Sequence, residues 1–174
     1  QSALRVKIPR LLLASENRVL VLGIRHLLPF RQCTRLLRML TPGHMAPAFQ
    51  LPDLDGKEHS LDQLLADGPV LVALFKTSCP TCQLTFPYLD RLAKSKTLRV
   101  VGISQDDGNT TRAFNQKFGV HFPTLLDAKG YPASNAFGIE YVPALFVVEP
   151  SGEISHAGHG WSKTEMQALG DRAG

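Results

Sequence analysis

The chain has 174 residues, of which 44% are hydrophobic and 20% charged, with only three cysteines. That suffices for one globular domain with an appendage, and it excludes a disulfide-stapled secreted scaffold, which needs a denser and even set of cysteines. The net charge of +4 is concentrated: residues 1–42 hold seven Arg and one Lys against one Glu, so the rest is net acidic and gives no ground for nucleic-acid binding.

Residues 1–42 read as a basic, Leu/Arg-rich extension. Its longest apolar run, Val19–Ile24, is far below the ~18–20 residues that span a bilayer and short for a signal-peptide core of about 7–15. A helix is expected over Pro29–Leu40, with Cys33, Leu36, Leu37 and Leu40 on one stripe and Arg31, Arg35 and Arg38 opposite. A packed helical extension, a targeting or membrane-surface segment, and a segment with no fold of its own all fit this pattern. Cys33, on the stripe, reads as a small buried hydrophobe. Any membrane contact is expected through these residues alone.

Residues 43–174 read as one α/β domain. A hairpin is expected from Phe49–Leu51 and Lys57–His59 around an Asp55-Gly56 turn. Ser60 and Gln63 have capping-box spacing for a short helix, stopped by Asp67-Gly68-Pro69. Pro69–Phe75 and Leu98–Ser104 are uninterrupted apolar runs, the pattern of strands buried on both faces. Between them a helix is expected over Pro80–Lys96, kinked at Pro87. Strand, helix, strand is the unit that builds parallel sheets. A helix closed by Gly119 follows, then an extended piece at His121–Asp127 and a short helix at Ala133–Gly138. Pro143–Glu149 and Glu153–Ala157 should form an antiparallel hairpin, and Ser162 and Glu165 a second capping box for a last helix.

The chemistry turns on Cys79 and Cys82, which fall where an apolar strand ends and a helix begins. A zinc site needs four ligands. His156 and His159 are the only spaced histidine pair, and they miss the finger pattern. A redox pair fits better. Cys79 would lie at the helix start, where free N–H groups and the helix dipole favour a thiolate. Pro80 follows, where a missing N–H costs nothing. Cys82, one turn further in, would resolve a mixed disulfide. Two inert buried cysteines are the plain alternative. Lys76 either stabilises a Cys79 thiolate or is a solvated strand-end lysine.

The segment "FKTSCPTC" after an apolar strand, with "YVPALFVVEPSGEI" about sixty residues later, resembles the thioredoxin superfamily. "APAFQLPDLDGKEHSL" is similar to the TlpA-like and redoxin (AhpC/TSA) branch, and the likeness covers roughly residues 43–170. It implies a thioredoxin-like fold, a central mixed β-sheet flanked by helices. It implies that Cys79 attacks and Cys82 resolves; Lys76, Pro80 and Thr81 are expected beside them as supporting residues. It also implies that Pro143 is a cis-proline, and that Val142 offers its backbone to an extended substrate. Three positions depart from the pattern: Ser78 stands where thioredoxins carry Trp, and Ala73 and Thr85 where relatives carry an acid.

The expected activity is thiol–disulfide oxidoreduction with no metal or organic cofactor, since the dithiol is the reactive group. Expected partners are protein or small-molecule disulfides and thiols, together with an electron-donating or -accepting redox partner, and the chain is expected to be a monomer. Two alternatives stay open. One is a peroxiredoxin-like thiol peroxidase, although neither cysteine carries the Pro-x-x-x-Thr/Ser-x-x-Cys motif: Val72 and Lys76 precede Cys79, and Phe75 and Cys79 precede Cys82. The other is a redox-inert binding module. The resemblance implies a bacterial-type periplasmic or membrane-tethered setting, while the poor export signal in residues 1–42 leaves a cytoplasmic one open.

Overall fold

The structure is a computed structural model, and it describes residues 39–95 and 97–174. The expected helix at Pro29–Leu40 and the expectations for Cys33 lie almost wholly outside those residues.

A short ribbon opens the domain: β1 (Gln50–Pro52) pairs antiparallel with β2 (Glu58–Ser60). Ser60 caps α1 (Leu61–Leu65) with the full capping box, its hydroxyl taking the Gln63 N–H while the Gln63 side chain takes the Ser60 N–H. β3 (Val70–Phe75) follows, then α2 (Pro80–Leu92) and β4 (Arg99–Ser104). β3 and β4 run parallel from Val70 opposite Arg99 to Phe75 opposite Ser104. The α2 crossover supplies the length that a parallel connection needs. α3 (Gly108–Phe118) leads to β5 (Thr124–Leu126), parallel to β4, and then to α4 (Pro132–Ala136). β6 (Ala144–Val148) returns antiparallel to β3, and β7 (Ile154–His159) pairs with β6 before α5 (Lys163–Ala173) ends the chain. The mixed sheet has the order β5-β4-β3-β6-β7. This is the thioredoxin-like fold.

β3 is the axis of the core. All six of its residues are buried, and the two-residue period of a strand sends them to opposite faces. Leu71, Ala73 and Phe75 join a cluster with Phe86 and Leu89 of α2 and Met166 and Leu169 of α5. Val70, Val72 and Leu74 join a second cluster with the leucines of α1, with Leu51 of β1 and with Phe137. Each fully buried Leu or Phe contributes about 1.5–3 kcal/mol. Met39 and Leu40 also pack on the second cluster, and the Leu40 N–H donates to the Phe137 carbonyl, so the packed body reaches back past Gly43.

Two local expectations need correction. The helix after Cys79 ends at Leu92 rather than Lys96. Beyond it the Ser95 and Thr97 hydroxyls turn to the Ala173 carbonyl at the end of α5. Ser162 caps α5, but no reciprocal box forms, because the Glu165 carboxylate reaches His156 at 2.9 Å instead. That carboxylate fills the space over Gly158 where a Cβ would stand. The cap of α3 is Asp107, whose carboxylate accepts the Asn109 and Thr110 N–H groups.

The far end of α2 is fixed by Asp90, which is buried and accepts the His121 N–H at 2.6 Å, with the His121 ring at 3.2 Å. Burial pushes the Asp90 carboxyl up, but the hydrogen bonds from His121 outweigh it and leave it below its ordinary value. A carboxylate with a lowered folded pKa stabilises fully above its unfolded pKa and loses that contribution as pH falls through the folded one. Asp90→Asn should therefore cost about 1–3 kcal/mol at pH 7. The deficit should shrink as pH falls below about 4, which urea titrations at pH 7 and pH 3 would measure. A deficit that is the same at both would show that the charge contributes nothing.

Candidate functional site

β3 ends at Phe75, and the chain uses Lys76–Cys79 to reach α2. The turn closes where the Cys79 N–H donates to the Lys76 carbonyl at 3.1 Å. Thr77 is held from two sides. Its N–H and its hydroxyl both donate to one oxygen of Asp106, each at 2.7 Å, and its carbonyl accepts the Gln83 side-chain amide at 3.0 Å. Asp106 follows directly on the C-terminal end of β4, and Gln83 lies in the first turns of α2. Sheet and helix thus clamp the loop that carries the cysteine.

Cys79 is the N-cap of α2, in an extended conformation (φ −79°, ψ 117°). Its sulfur accepts the Cys82 N–H at 3.4 Å, in the place where Ser or Asp usually caps. Pro80 stands at the first helical position, exposed, where its missing N–H leaves nothing unpaired. The Cys79 thiol also donates to the Val142 carbonyl at 3.4 Å. The Val142–Pro143 peptide is cis, as the resemblance implies, and Pro143 is buried.

The two thiols differ in access. Cys79 is half-buried, whereas Cys82 is fully buried. Burial pushes the Cys82 thiol far above its ordinary value, and the nearby Cys79 sulfur adds to that; the Lys76 backbone N–H opposes it. The structure brings Cys79, Cys82, Val142 and Pro143 together at one end of the sheet. Lys76 is half-buried in the turn before Cys79. Thr81 is half-buried, and its carbonyl accepts the Thr85 hydroxyl at 2.7 Å. His156 and His159 do not converge on the cysteines: the first binds Glu165 and the second stacks on Tyr141.

Sequence reasoning missed Asp106 and Gln83, because their contacts are made only in the fold. The signal for Asp106 was its place just beyond a buried strand, in "SQDD". It also missed Tyr141 and Trp161, which are 65% and 41% exposed. Tyr141 adjoins Val142 and stacks on His159, and Trp161 packs edge-on against Tyr88 of α2. Gly160, in the left-handed region at φ 77°, turns the chain between His159 and Trp161.

The Asp106 clamp makes a prediction. Asp106→Ala removes two hydrogen bonds to a carboxylate and should cost about 1.5–3 kcal/mol in a urea titration. It should also slow iodoacetamide labelling of Cys79, whose loop loses its hold on β4. Asp106→Asn, which keeps an acceptor oxygen, should recover part of both.

Comparison with known proteins agrees with this geometry. The family model described as "AhpC/TSA family" matches residues 42–157. The thiol-disulfide oxidoreductase ResA of Geobacillus thermodenitrificans is 28% identical over 117 residues, covering 64% of this chain and 66% of that protein. The thiol:disulfide interchange protein DsbE of Yersinia pestis is 33% identical over 122 residues, covering 67% and 64%. The match therefore spans just under two thirds of the length of these relatives. Among solved structures, the thioredoxin domain of a thiol-disulfide oxidoreductase from Bacteroides vulgatus superposes with a TM-score of 0.67 at 22% identity, covering 78% of this chain and 99% of that one. Peroxidoxin BcpB of Mycobacterium tuberculosis gives 0.65 at 26% identity, covering 78% and 94%. With the family model matching most of its length and a thioredoxin-like fold around Cys79, the chain belongs to the AhpC/TSA family.

Proposed function

We propose that the protein is a thiol–disulfide oxidoreductase whose reacting sulfur is that of Cys79. The observation that carries this reading is the position of that sulfur. It caps α2, meets the Val142 carbonyl, and lies one helical turn from a buried second thiol. The names of the ResA and DsbE relatives support it.

The reaction runs in two exchanges. The Cys79 thiolate attacks one sulfur of a substrate disulfide; a Cys79–substrate disulfide forms and the other substrate sulfur leaves as a thiolate. Cys82 then loses its proton and attacks the Cys79 sulfur, closing the Cys79–Cys82 disulfide and releasing the second substrate thiol. The substrate gains two electrons and the protein loses two, which a redox partner restores; run backwards, the same steps oxidise a dithiol. Before attack the helix-start N–H groups face the charge of the Cys79 thiolate. Val142 offers backbone to an extended segment of the substrate, beside Tyr141. Partners in this reading are disulfide- or thiol-bearing proteins or small molecules. The periplasmic or membrane-tethered setting rests on resemblance alone; among the described residues no helix is long and apolar enough to cross a membrane.

A thiol peroxidase is the second reading, favoured by the likeness to peroxidoxin BcpB. Against it stands Lys76, three residues before Cys79, where the peroxidatic motif needs a Thr or Ser hydroxyl. One pair of assays decides. Given one electron donor, the protein should reduce insulin disulfides and consume hydrogen peroxide only slowly. Cys82→Ser should trap a mixed disulfide through Cys79, while Cys79→Ser should trap little. Fast, saturable peroxide consumption that needs only Cys79 would reverse the ranking, and inertness in both assays would leave a binding module.

A further inference from the structure

We propose that Leu84, Tyr88, Arg91 and Trp161 form a docking surface for a protein partner of Cys79, one that presents an apolar side chain flanked by carboxylates. This rests on the oxidoreductase reading above and specifies its partner: a polypeptide long enough to reach along α2, rather than a small-molecule disulfide.

α2 buries one stripe, with Cys82, Phe86, Leu89 and Leu92 on it, yet its solvent side is not wholly polar. Leu84 is 60% exposed there. Tyr88, one turn on and half-buried, is its neighbour at i+4 spacing. Trp161, itself exposed, packs edge-on against the Tyr88 ring, with the ring centres 5.7 Å apart. The Arg91 guanidinium lies over the same ring, 5.2 Å from its centre. A lone exposed leucine needs no explanation, but apolar side chains that adjoin one another on a surface mark an interaction site. Trp, Tyr and Arg are also the types that dominate the binding energy of protein interfaces. The patch is built before any partner arrives. The Tyr88 hydroxyl donates to the Met166 carbonyl at 2.8 Å, and it fits there because α5 carries Gly170, where a Cβ would stand 3.1 Å from that oxygen. Side chains held in this way lose little freedom on binding.

The domain as a whole is net acidic, but the charge on this face is of the other sign. Asp90, the one carboxylate of α2, is buried and held by His121, and Glu165 of α5 is held by His156. Arg91 is exposed, and so is Lys163, two residues after Trp161. Asp171, exposed near the other end of α5, pairs with neither of them; among the described residues neither cation is in an ion pair. A cation–π contact takes up none of the five guanidinium N–H donors, so Arg91 can still receive a carboxylate. Leu84 and Tyr88 lie five and nine residues along the chain from Cys79, which is about 7–14 Å at the helical rise. An extended segment whose cysteine is bonded to Cys79 covers that distance with about two to four residues. A disulfide without such flanking residues cannot touch the patch while it reacts.

The test uses the full chain, reduced, in stopped flow against cysteines activated as pyridyl disulfides. The Cys79 thiolate attacks the cysteine sulfur of the probe, a Cys79–probe disulfide forms and thiopyridone leaves, whose absorbance gives the rate. Cys79→Ser supplies the background from other thiols. Activated N-acetylcysteinamide is the small, uncharged probe. Three peptides with about four residues on each side of the activated cysteine carry Leu with Asp, Ser with Asp, or Leu with Lys on their arms. The Leu–Asp peptide should react about tenfold faster than the other two and than the small probe, as for one good interface contact. Leu84→Ser should cancel the gain from Leu, and Arg91→Glu should make the Leu–Lys peptide the faster one. Both positions are exposed, so each variant should react with the small probe as the unmodified protein does. Equal rates for the three peptides, or a preference that survives both substitutions, would overturn the docking surface and leave Cys79 as the attacking thiol. A dimer in sedimentation that Leu84→Ser dissociates would show that a second copy covers the patch, and would overturn it too. No reaction even with the small probe would sink the underlying reading of Cys79, and the proposal with it.

Discussion

The site depends on how one helix begins. An α-helix starts with N–H groups that have no partner inside it, and α2 starts at the C-terminal edge of a strand whose six residues are all buried. One of those donors is absent, because Pro80 has none. Another, that of Cys82, is taken by the Cys79 sulfur. A thiol in the role of an N-cap is a weaker acceptor than a hydroxyl, but as a thiolate it gains from the same donors and from the helix dipole. The requirement to satisfy a helix end and the requirement to favour a sulfur anion are met by one arrangement.

Sheet topology completes the site. β6 runs antiparallel to β3, with Ala144 opposite Leu74. The segment that enters β6 therefore arrives at the edge that β3 leaves, and Val142, just before Pro143, meets Cys79 across 63 residues of chain. β4, parallel to β3, ends at the same edge and delivers Asp106 to Thr77. Three strands that share no local sequence thus converge on one loop. The register across β3 fixes the convergence, and a slip of one residue would turn the inner and outer faces over.

This explains what could be read from the chain and what could not. The buried strands at Val70–Phe75, Arg99–Ser104 and Ala144–Val148 were legible because an uninterrupted apolar run has few other ways to be buried. The Ser60–Gln63 box was legible because it is local and nothing competes for its groups. The identical spacing at Ser162–Glu165 misled, because His156 on the neighbouring strand offered Glu165 a partner that lies outside the local window. Asp106 and Gln83 escaped for the same reason. Of the site, Cys79, Pro80 and Cys82 followed from local chemistry. Val142 and Pro143 were placed by resemblance, since no rule of spacing pairs them with a cysteine so far away in the chain.

The asymmetry between the two sulfurs follows from the same period that orders the core. Cys79 stands outside the helix proper, on the edge of the sheet, and keeps contact with solvent. Three residues on, less than one turn of 3.6, Cys82 points back toward Ala73 and Phe75 in the interior cluster. Charge there is disfavoured by desolvation unless a neighbour compensates it. Thr85, three residues further along α2, is buried as well, and its hydroxyl donates to the Thr81 carbonyl. Cys79 keeps access, the helix-start donors and the Val142 carbonyl within reach. The fold therefore separates the two sulfurs by environment, one half-buried at a helix start and one enclosed among apolar side chains.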